Sequence, residues 1–333
     1  MKDKIRWGIL GCGNIAAKFA SDLKLVDDAE LVTFGSRDKD KARSFAERFS
    51  AAHVFDSYEA LAQSDLVDAV YIATPHSCHY EHTMLCLENG KATLCEKAFA
   101  VNSRQAREMV GCAREKKLFL MEALWTKFLP QYQKLQEILQ AGTLGDINAV
   151  LANFGFMPRI PTPARVFDPA LAGGTLLDIG IYNVFMAMSV LGRPQSIDAC
   201  MKPAYSGVDE QCSVLFRYDN GAMAQLFSSF MSRLPIEADI CGTKGRIRFT
   251  HRFYSLDAMI EYYPDGPESR QLIDIAKDAE GHGYQYEARH VCDCLRKGLA
   301  ESPVMTHADT LLLMEVLDEI RRKSGIRYDE DYD

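Results

Sequence analysis

The sequence predicts an α/β protein in two parts: a doubly wound parallel sheet over residues 1–122, then an α+β domain over 123–333 whose open sheet is mainly antiparallel. Three observations carry this. Apolar strand-like runs and amphipathic helical stretches alternate through the first 120 residues. After Pro130 extended segments predominate, with Asp219-Asn220-Gly221 as a hairpin signal between two of them. At 333 residues the chain is also too long for one ordinary core.

The elements follow in order. A strand starting at residue 5 runs through Trp7-Gly8-Ile9-Leu10 into Gly11-Cys12-Gly13-Asn14-Ile15-Ala16, a G-x-G-x-x-A turn. Gly11 permits the tight turn and Gly13 lets a pyrophosphate approach the backbone. Ala16 lets the following helix, 15–25, pack closely with its free N–H groups facing the phosphates. The second strand, 30–35, ends in Ser36-Arg37-Asp38. A hydroxyl and a guanidinium suit a 2′-phosphate, so NADP is expected ahead of NAD; Asp38, turned inward, is the alternative that would serve a ribose. A helix over 40–49, a strand over 53–55 and a helix over 57–62 lead to the apolar strand 69–73, which ends at Thr74-Pro75-His76. A helix from His79 closes at Asn89-Gly90. The strand 92–95 then delivers Glu96-Lys97 as an ion pair at a strand carboxyl end, where open α/β sheets bind ligands. A lysine there is a candidate for proton transfer. Asn102, with Gln105 three residues on, caps a helix to Lys116, and the strand 118–122 closes the set.

In the second part a helix over 131–139 precedes extended segments at 147–156, 196–202, 211–218, 222–231, 236–241 and 245–250. One helix, 174–191, interrupts them, and helices at 284–298 and 307–323 close the chain, the latter capped by Thr306 with Asp309. Asp178 and Tyr182 are four apart and would share a helical face, as parts of a ligand site or as a structural hydrogen-bonded pair. Segment 222–231 is apolar on both faces, so a second copy packed on the sheet is expected.

Composition excludes other classes. The charge of −8 and pI near 5.6, with no basic patch, argue against nucleic acid. No apolar N-terminal leader and no apolar run long enough to span a bilayer are evident. The ten cysteines include no C-x-x-C pair, and reduced core thiols in a cytoplasm are the plain reading. His76, His79 and His82 do not complete a metal set, because no cysteine or carboxylate cluster accompanies them.

These motifs together resemble the Gfo/Idh/MocA oxidoreductases, nearest their dimeric dihydrodiol dehydrogenase and NADP-dependent D-xylose dehydrogenase branch. The matches span nearly the whole chain. They are Gly8 to Gly13, Ser36-Arg37, Thr74-Pro75-His76 with His79, Glu96-Lys97, Met121 to Trp125, Arg165 with Phe167-Asp168-Pro169, Gly173 to Tyr182, Gly281 to Tyr284, and His307 to Thr310. The resemblance implies a Rossmann cofactor domain, and its dimeric branch points the same way as segment 222–231, to a homodimer joined through the C-terminal sheet. It implies hydride transfer between nicotinamide and a secondary alcohol or hemiacetal carbon of a sugar, polyol or trans-dihydrodiol. Cofactor contacts then fall to Gly11, Gly13, Asn14, Ile15, Ser36, Arg37, Thr74, Pro75, His76, His79, Glu96, Lys97 and Trp125, and substrate contacts to Lys97, Trp125, Phe156, Arg165, Asp178 and Tyr182. Lys97, Tyr182 and Asp178 are the catalytic candidates. A Lys97 cation would favour a Tyr182 phenolate, and either residue could carry the proton. The family's usual Glu-Lys-Pro is Glu96-Lys97-Ala98 here, and Tyr182 replaces a motif histidine, which makes inositol less expected. A non-catalytic NADP-binding regulator is the alternative, disfavoured by the joint presence of Lys97, Asp178 and Tyr182.

Overall fold

The computed structural model describes residues 4–158 and 164–332. It divides into two compact units. The first comprises Met1–Phe128 and Asp278–Leu311, the second Leu129–Lys277 and Leu312–Asp333. This differs from a single cut after residue 122, because the penultimate helix joins the first unit.

The first unit is built on six parallel strands: β1 (Ile5–Leu10), β2 (Ala29–Gly35), β3 (His53–Phe55), β4 (Ala69–Ile72), β5 (Ala92–Glu96) and β6 (Leu120–Ala123). They lie in the order β3-β2-β1-β4-β5-β6. The strand order reverses between β1 and β4, and such a switch point opens a crevice at the strand carboxyl ends. All four residues of β4 are buried, as a strand covered on both faces requires. Between the strands run α1 (Asn14–Leu23), α2 (Lys39–Phe49), α3 (Tyr58–Ala62), α4 (His79–Glu88) and α5 (Ser103–Lys116). Asn102 caps α5 by accepting from Gln105 N at 3.0 Å, as its sequence predicts.

The second unit contains α6 (Pro130–Gln140), α7 (Ile181–Leu191) and eight strands: β7 (Ile147–Gly155), β8 (Ser196–Pro203), β9 (Asp209–Arg217), β10 (Met223–Ser229), β11 (Glu237–Gly242), β12 (Gly245–Thr250), β13 (Met259–Tyr263) and β14 (Gln271–Ile273). Their order is β14-β13-β12-β11-β7-β10-β9-β8, antiparallel throughout except for the β7–β10 pair. The turn at Asp219-Asn220-Gly221 joins β9 to β10, with Gly221 at a φ of 84°. Strands β13 and β14 escape the sequence reading because one is five residues and the other three. The Pro264-Asp265-Gly266 turn after β13 is the signal that could have found them.

Helix α7 packs on β7, β10 and β11. Beneath it lie Val150, Ala152, Ala224, Leu226, Ala238 and Ile240, all buried. Of the residues that alternate with these, Leu151 and Met223 are 41% and 49% exposed. The expected single helix over 174–191 is corrected: Leu176–Gly180 forms a π-helical turn before α7 begins. Gly180 ends that turn close against β10, where a Cβ would stand 3.0 Å from Ser228 Oγ. The expectation that no stretch could span a bilayer also needs correction. Pro169–Leu191 is long and apolar enough, with a mean hydropathy of 1.5 in its most apolar window. That window is 72% buried within the fold, so core packing accounts for its apolarity.

Helix α8 (Tyr284–Arg296) follows Gly281-His282-Gly283 and packs on α1 in the first unit. Helix α9 (His307–Ser324) begins in the first unit and ends in the second.

Candidate active site

In the first unit the predicted ligand residues gather along the carboxyl edge of one sheet. Gly11, at a φ of 93°, brings the β1 turn so close to β4 that a Cβ would stand 2.9 Å from the Ala73 carbonyl. At Gly13 a Cβ would meet nothing within 4 Å, so the space beside the turn before Asn14 and Ile15 is open. Gly13 is also the N-cap of α1, and no side chain caps that helix. Uncapped N–H groups facing an open cradle fit a pyrophosphate. Ser36 is buried at the end of β2, and its hydroxyl accepts from Asp38 N at 3.1 Å. Arg37 is exposed. The Asp38 carboxylate caps α2 by accepting from Lys41 N at 3.0 Å.

Thr74, Pro75 and His76 follow β4. Thr74 Oγ1 lies 3.0 Å from His82 Nδ1, and the His82 ring meets Tyr58 edge-on at 4.4 Å. The Tyr58 hydroxyl lies in the field of Arg37, although burial raises it overall. A chain of side chains thus connects the ends of β2 and β4; Tyr58, which carries no motif, escaped the sequence reading. His79, assigned to cofactor contact by its sequence, is fully buried. Its Nδ1 is 2.8 Å from the Ala98 carbonyl and its Nε2 is 2.9 Å from that of Thr74. Burial pushes it down to about 4. Neutral at ordinary pH, the ring carries one N–H and donates to only one of these two carbonyls, behind the turns that follow β4 and β5.

Glu96 is likewise turned inward at the end of β5, where the Tyr71 hydroxyl donates to its carboxylate. Its Oε2 also accepts from the Lys97 backbone N–H at 3.3 Å. Lys97 itself is half-buried, and the Lys97–Ala98 peptide is cis. Trp125, just beyond β6, stacks on Tyr284 at 4.5 Å with 19° between the rings. Two terminal motifs support this corner: Asp309 pairs with Lys127 at 2.8 Å, and His307 Nε2 donates to the Leu120 carbonyl at 2.9 Å.

Glu122 on β6 is fully buried, and burial raises it to about 7. Folding therefore favours its protonated form. Its contribution to stability is full below the unfolded value of 4.5 and is lost as pH rises through about 7. Glu122→Gln keeps the volume and removes the titration. Relative to that variant, the wild type is expected to lose about 3 kcal/mol of stability between acid and mildly alkaline pH. Denaturant titrations of both proteins at several pH values check this.

In the second unit Arg165 pairs with Asp178 at 3.1 Å, and Asp178 is only 13% exposed. Asp178 lies in the π-helical turn and Tyr182 in the first turn of α7, so the expected α-helical spacing does not relate them. Tyr254 links them instead. Its ring is 4.7 Å from Tyr182, and the Asp178 charge adds to the burial that raises its phenol. Tyr254 also stacks on Phe154 at 4.6 Å, and Phe154 is 6.4 Å from Phe156, which in turn meets Phe230 edge-on. The chain reaches this position through His251 and Arg252, both at positive φ (51° and 53°). No sequence motif marks Tyr254. The unit thus presents a carboxylate, a guanidinium and a phenol against an aromatic wall. Among the described residues no group of three or more His, Cys, Asp or Glu could hold a metal ion.

Residues 5–124 match the model of an oxidoreductase family with an NAD-binding Rossmann fold, and residues 132–248 match the GFO/IDH/MocA C-terminal domain. The chain belongs to the Gfo/Idh/MocA oxidoreductase family. Among its relatives in that family, trans-1,2-dihydrobenzene-1,2-diol dehydrogenase of Mus musculus is 40% identical, covering 98% of this chain and 99% of the mouse protein. The human protein of the same name is 37% identical over 98% of this chain and 99% of its own length. A 3-ketoreductase from Actinomadura kijaniata, solved with NADP and TDP-benzene, superposes with a TM-score of 0.86 at 26% identity, covering 97% of this chain and 98% of that one. Within this Gfo/Idh/MocA protein the Rossmann unit holds a nicotinamide dinucleotide, and the chain is a dehydrogenase acting on CH–OH groups.

Proposed function

We propose that this enzyme prefers NADP and oxidises a carbinol carbon of a trans-dihydrodiol or the hemiacetal carbon of an aldose. One observation supports the catalytic reading above all: Lys97 stands at the carboxyl end of β5, on the sheet edge that carries the Gly11–Gly13 cradle. NADP, when bound, supplies the hydride acceptor at the nicotinamide ring. The proton of the substrate hydroxyl goes to Lys97 or Tyr182, and Asp178, paired with Arg165, orients that hydroxyl. The aromatic wall of Phe154, Phe156 and Tyr254 suits the apolar face of a ring. Steady-state rates with trans-dihydrodiols, aldoses and inositols, each with NAD and NADP, test the substrate class; turnover confined to inositols would overturn it.

Cofactor choice rests on Ser36 and Arg37. The capping role of Asp38 supports this, since a carboxylate engaged by Lys41 N is not turned toward a ribose. Arg37→Ala is expected to weaken NADP binding by roughly 1.5–3 kcal/mol, on the order of 10- to 100-fold, while barely changing NAD. Fluorescence titration with both cofactors checks this. Equal weakening would transfer the assignment to Asp38.

The enzyme further acts as a homodimer through the open face of the second-unit sheet. Leu151 and Met223, exposed on strands β7 and β10, support it. Sedimentation equilibrium at micromolar concentration should give twice the 37.3 kDa chain mass; a fully active monomer would exclude it. All ten cysteines are free thiols, which supports work in a reducing cytoplasm.

A further inference from the structure

We propose that Asp209 and Tyr328 are positioning residues: a buried carboxylate and a buried phenol that fix the Gly173–Leu176 turn from which Asp178 and Tyr182 are presented. The inference rests on the roles given above to those two residues. Gly173 and Gly174 form the softest backbone in this stretch, and the π-helical turn begins two residues later. Its N-cap, Thr175, makes no capping bond of its own. The bonds that hold the turn come from distant parts of the same unit.

Asp209, at the start of β9, is completely buried. Its Oδ2 accepts from the Thr175 hydroxyl at 2.5 Å and from Leu176 N at 2.7 Å, satisfying a donor that the helix start leaves open. Ser228 of β10 donates to Thr175 Oγ1 at 3.4 Å. Asp209 Oδ1 has no hydrogen-bond donor among the described residues, and a Cβ on Gly174 would overlap it. A glycine at a φ of 118° is what lets the carboxylate lie against the turn.

From the other side the Tyr328 hydroxyl donates to the Gly173 carbonyl. Tyr328 is 2% exposed and is held by the buried Arg321, whose guanidinium lies 5.1 Å from its ring. Asp331 ties both, pairing with Arg321 at 2.5 Å and accepting from Tyr328 N at 3.0 Å. The same turn secures the Arg165 segment, because Gly173 N donates to the Asp168 carbonyl and Gly174 N to that of Val166, each at 2.9 Å. Asp209 and the chain end at Tyr328 thus set the origin of the segment that carries Asp178 and Tyr182 and of the loop that carries Arg165. Misplacement of a reacting group by about 1 Å can cost on the order of 100-fold in rate.

The test compares Tyr328→Phe, which removes one hydroxyl, and Asp209→Asn with Tyr182→Phe as reference, in the full-length enzyme. Tyr328→Phe and Asp209→Asn should each lower kcat by about 10- to 100-fold and displace its pH profile. KM and NADP affinity should stay within about two-fold, a split that general loss of structure would not give. If Tyr182→Phe is inactive while Tyr328→Phe keeps wild-type kcat and pH profile, the positioning role is overturned and the site stands. If Tyr182→Phe keeps full kcat, the proton is assigned to Lys97 and Asp178→Asn becomes the reference; if that variant too keeps full kcat, the reading of the site fails and the proposal falls with it. Should Asp209→Asn not fold, Tyr328→Phe alone decides.

Discussion

Lys97→Met is expected to lower kcat by about 10²–10⁴-fold and leave NADP affinity within a few-fold. Methionine matches the length and apolar stem of lysine but offers neither an ammonium donor nor a titratable group. The loss should fall on chemistry because the phosphate cradle at Gly11–Gly13 is built on β1, two strands away from β5 in the sheet. The backbone around Lys97 is set by other residues: His79 holds the Ala98 carbonyl, and Glu96 takes both the Tyr71 hydroxyl and the Lys97 N–H. These contacts, made by His79 and Glu96, are still available in the variant. Steady-state kinetics paired with cofactor titration separates the two effects. Unchanged turnover would remove Lys97 from the reaction.

Asp22→Ala should destabilise the first unit by about 2–5 kcal/mol. The Asp22 carboxylate, 1% exposed on α1, accepts from three successive backbone N–H groups, those of His282, Gly283 and Tyr284, at 2.8–3.0 Å. It also accepts from His282 Nδ1 at 2.8 Å. These N–H groups open α8, and Gly283, at a φ of 116°, turns the chain so that all three converge. Alanine would leave the buried Tyr284 N–H without its acceptor, at about 1–3 kcal/mol, and remove the bonds from His282, while Gly283 N still donates to Gln285 Oε1 at 2.9 Å. Tyr284 begins that helix and stacks on Trp125, so the same variant should disturb the Trp125 corner. Amide hydrogen exchange resolved over α8 measures the loss directly and does not require two-state unfolding. Protection of α8 equal to wild type would refute the assignment.

The first unit was legible because each of its signals is local. The Gly-rich turn, the buried run of β4 and the Asn102 cap act through neighbours a few residues apart, and the strand order follows from right-handed crossovers. What was not legible depends on distant partners. The place of α8 in the first unit rests on Asp22 and His282, 260 residues apart. The close approach of Gly180 to Ser228, at the end of the π-helical turn, joins residues far apart in the chain, and no spacing reveals it. His79 is another case: a histidine beside a ligand loop reads alike in sequence whether it faces the loop's open side or packs behind it, and its full burial between the Ala98 and Thr74 carbonyls comes only from the fold. Tyr58 and Tyr254 stand in the candidate site by packing alone.

The most direct test follows the transferred hydrogen. Wild-type enzyme and Lys97→Met are incubated with NADP and a trans-dihydrodiol or aldose deuterated at the carbinol carbon, and the nicotinamide product is read by mass spectrometry and NMR. One deuterium per turnover on a single face of nicotinamide C4 is expected with the wild type, and its loss with Lys97→Met. Cofactor that binds normally yet gains no deuterium from any dihydrodiol or sugar would contradict hydride transfer from a CH–OH carbon.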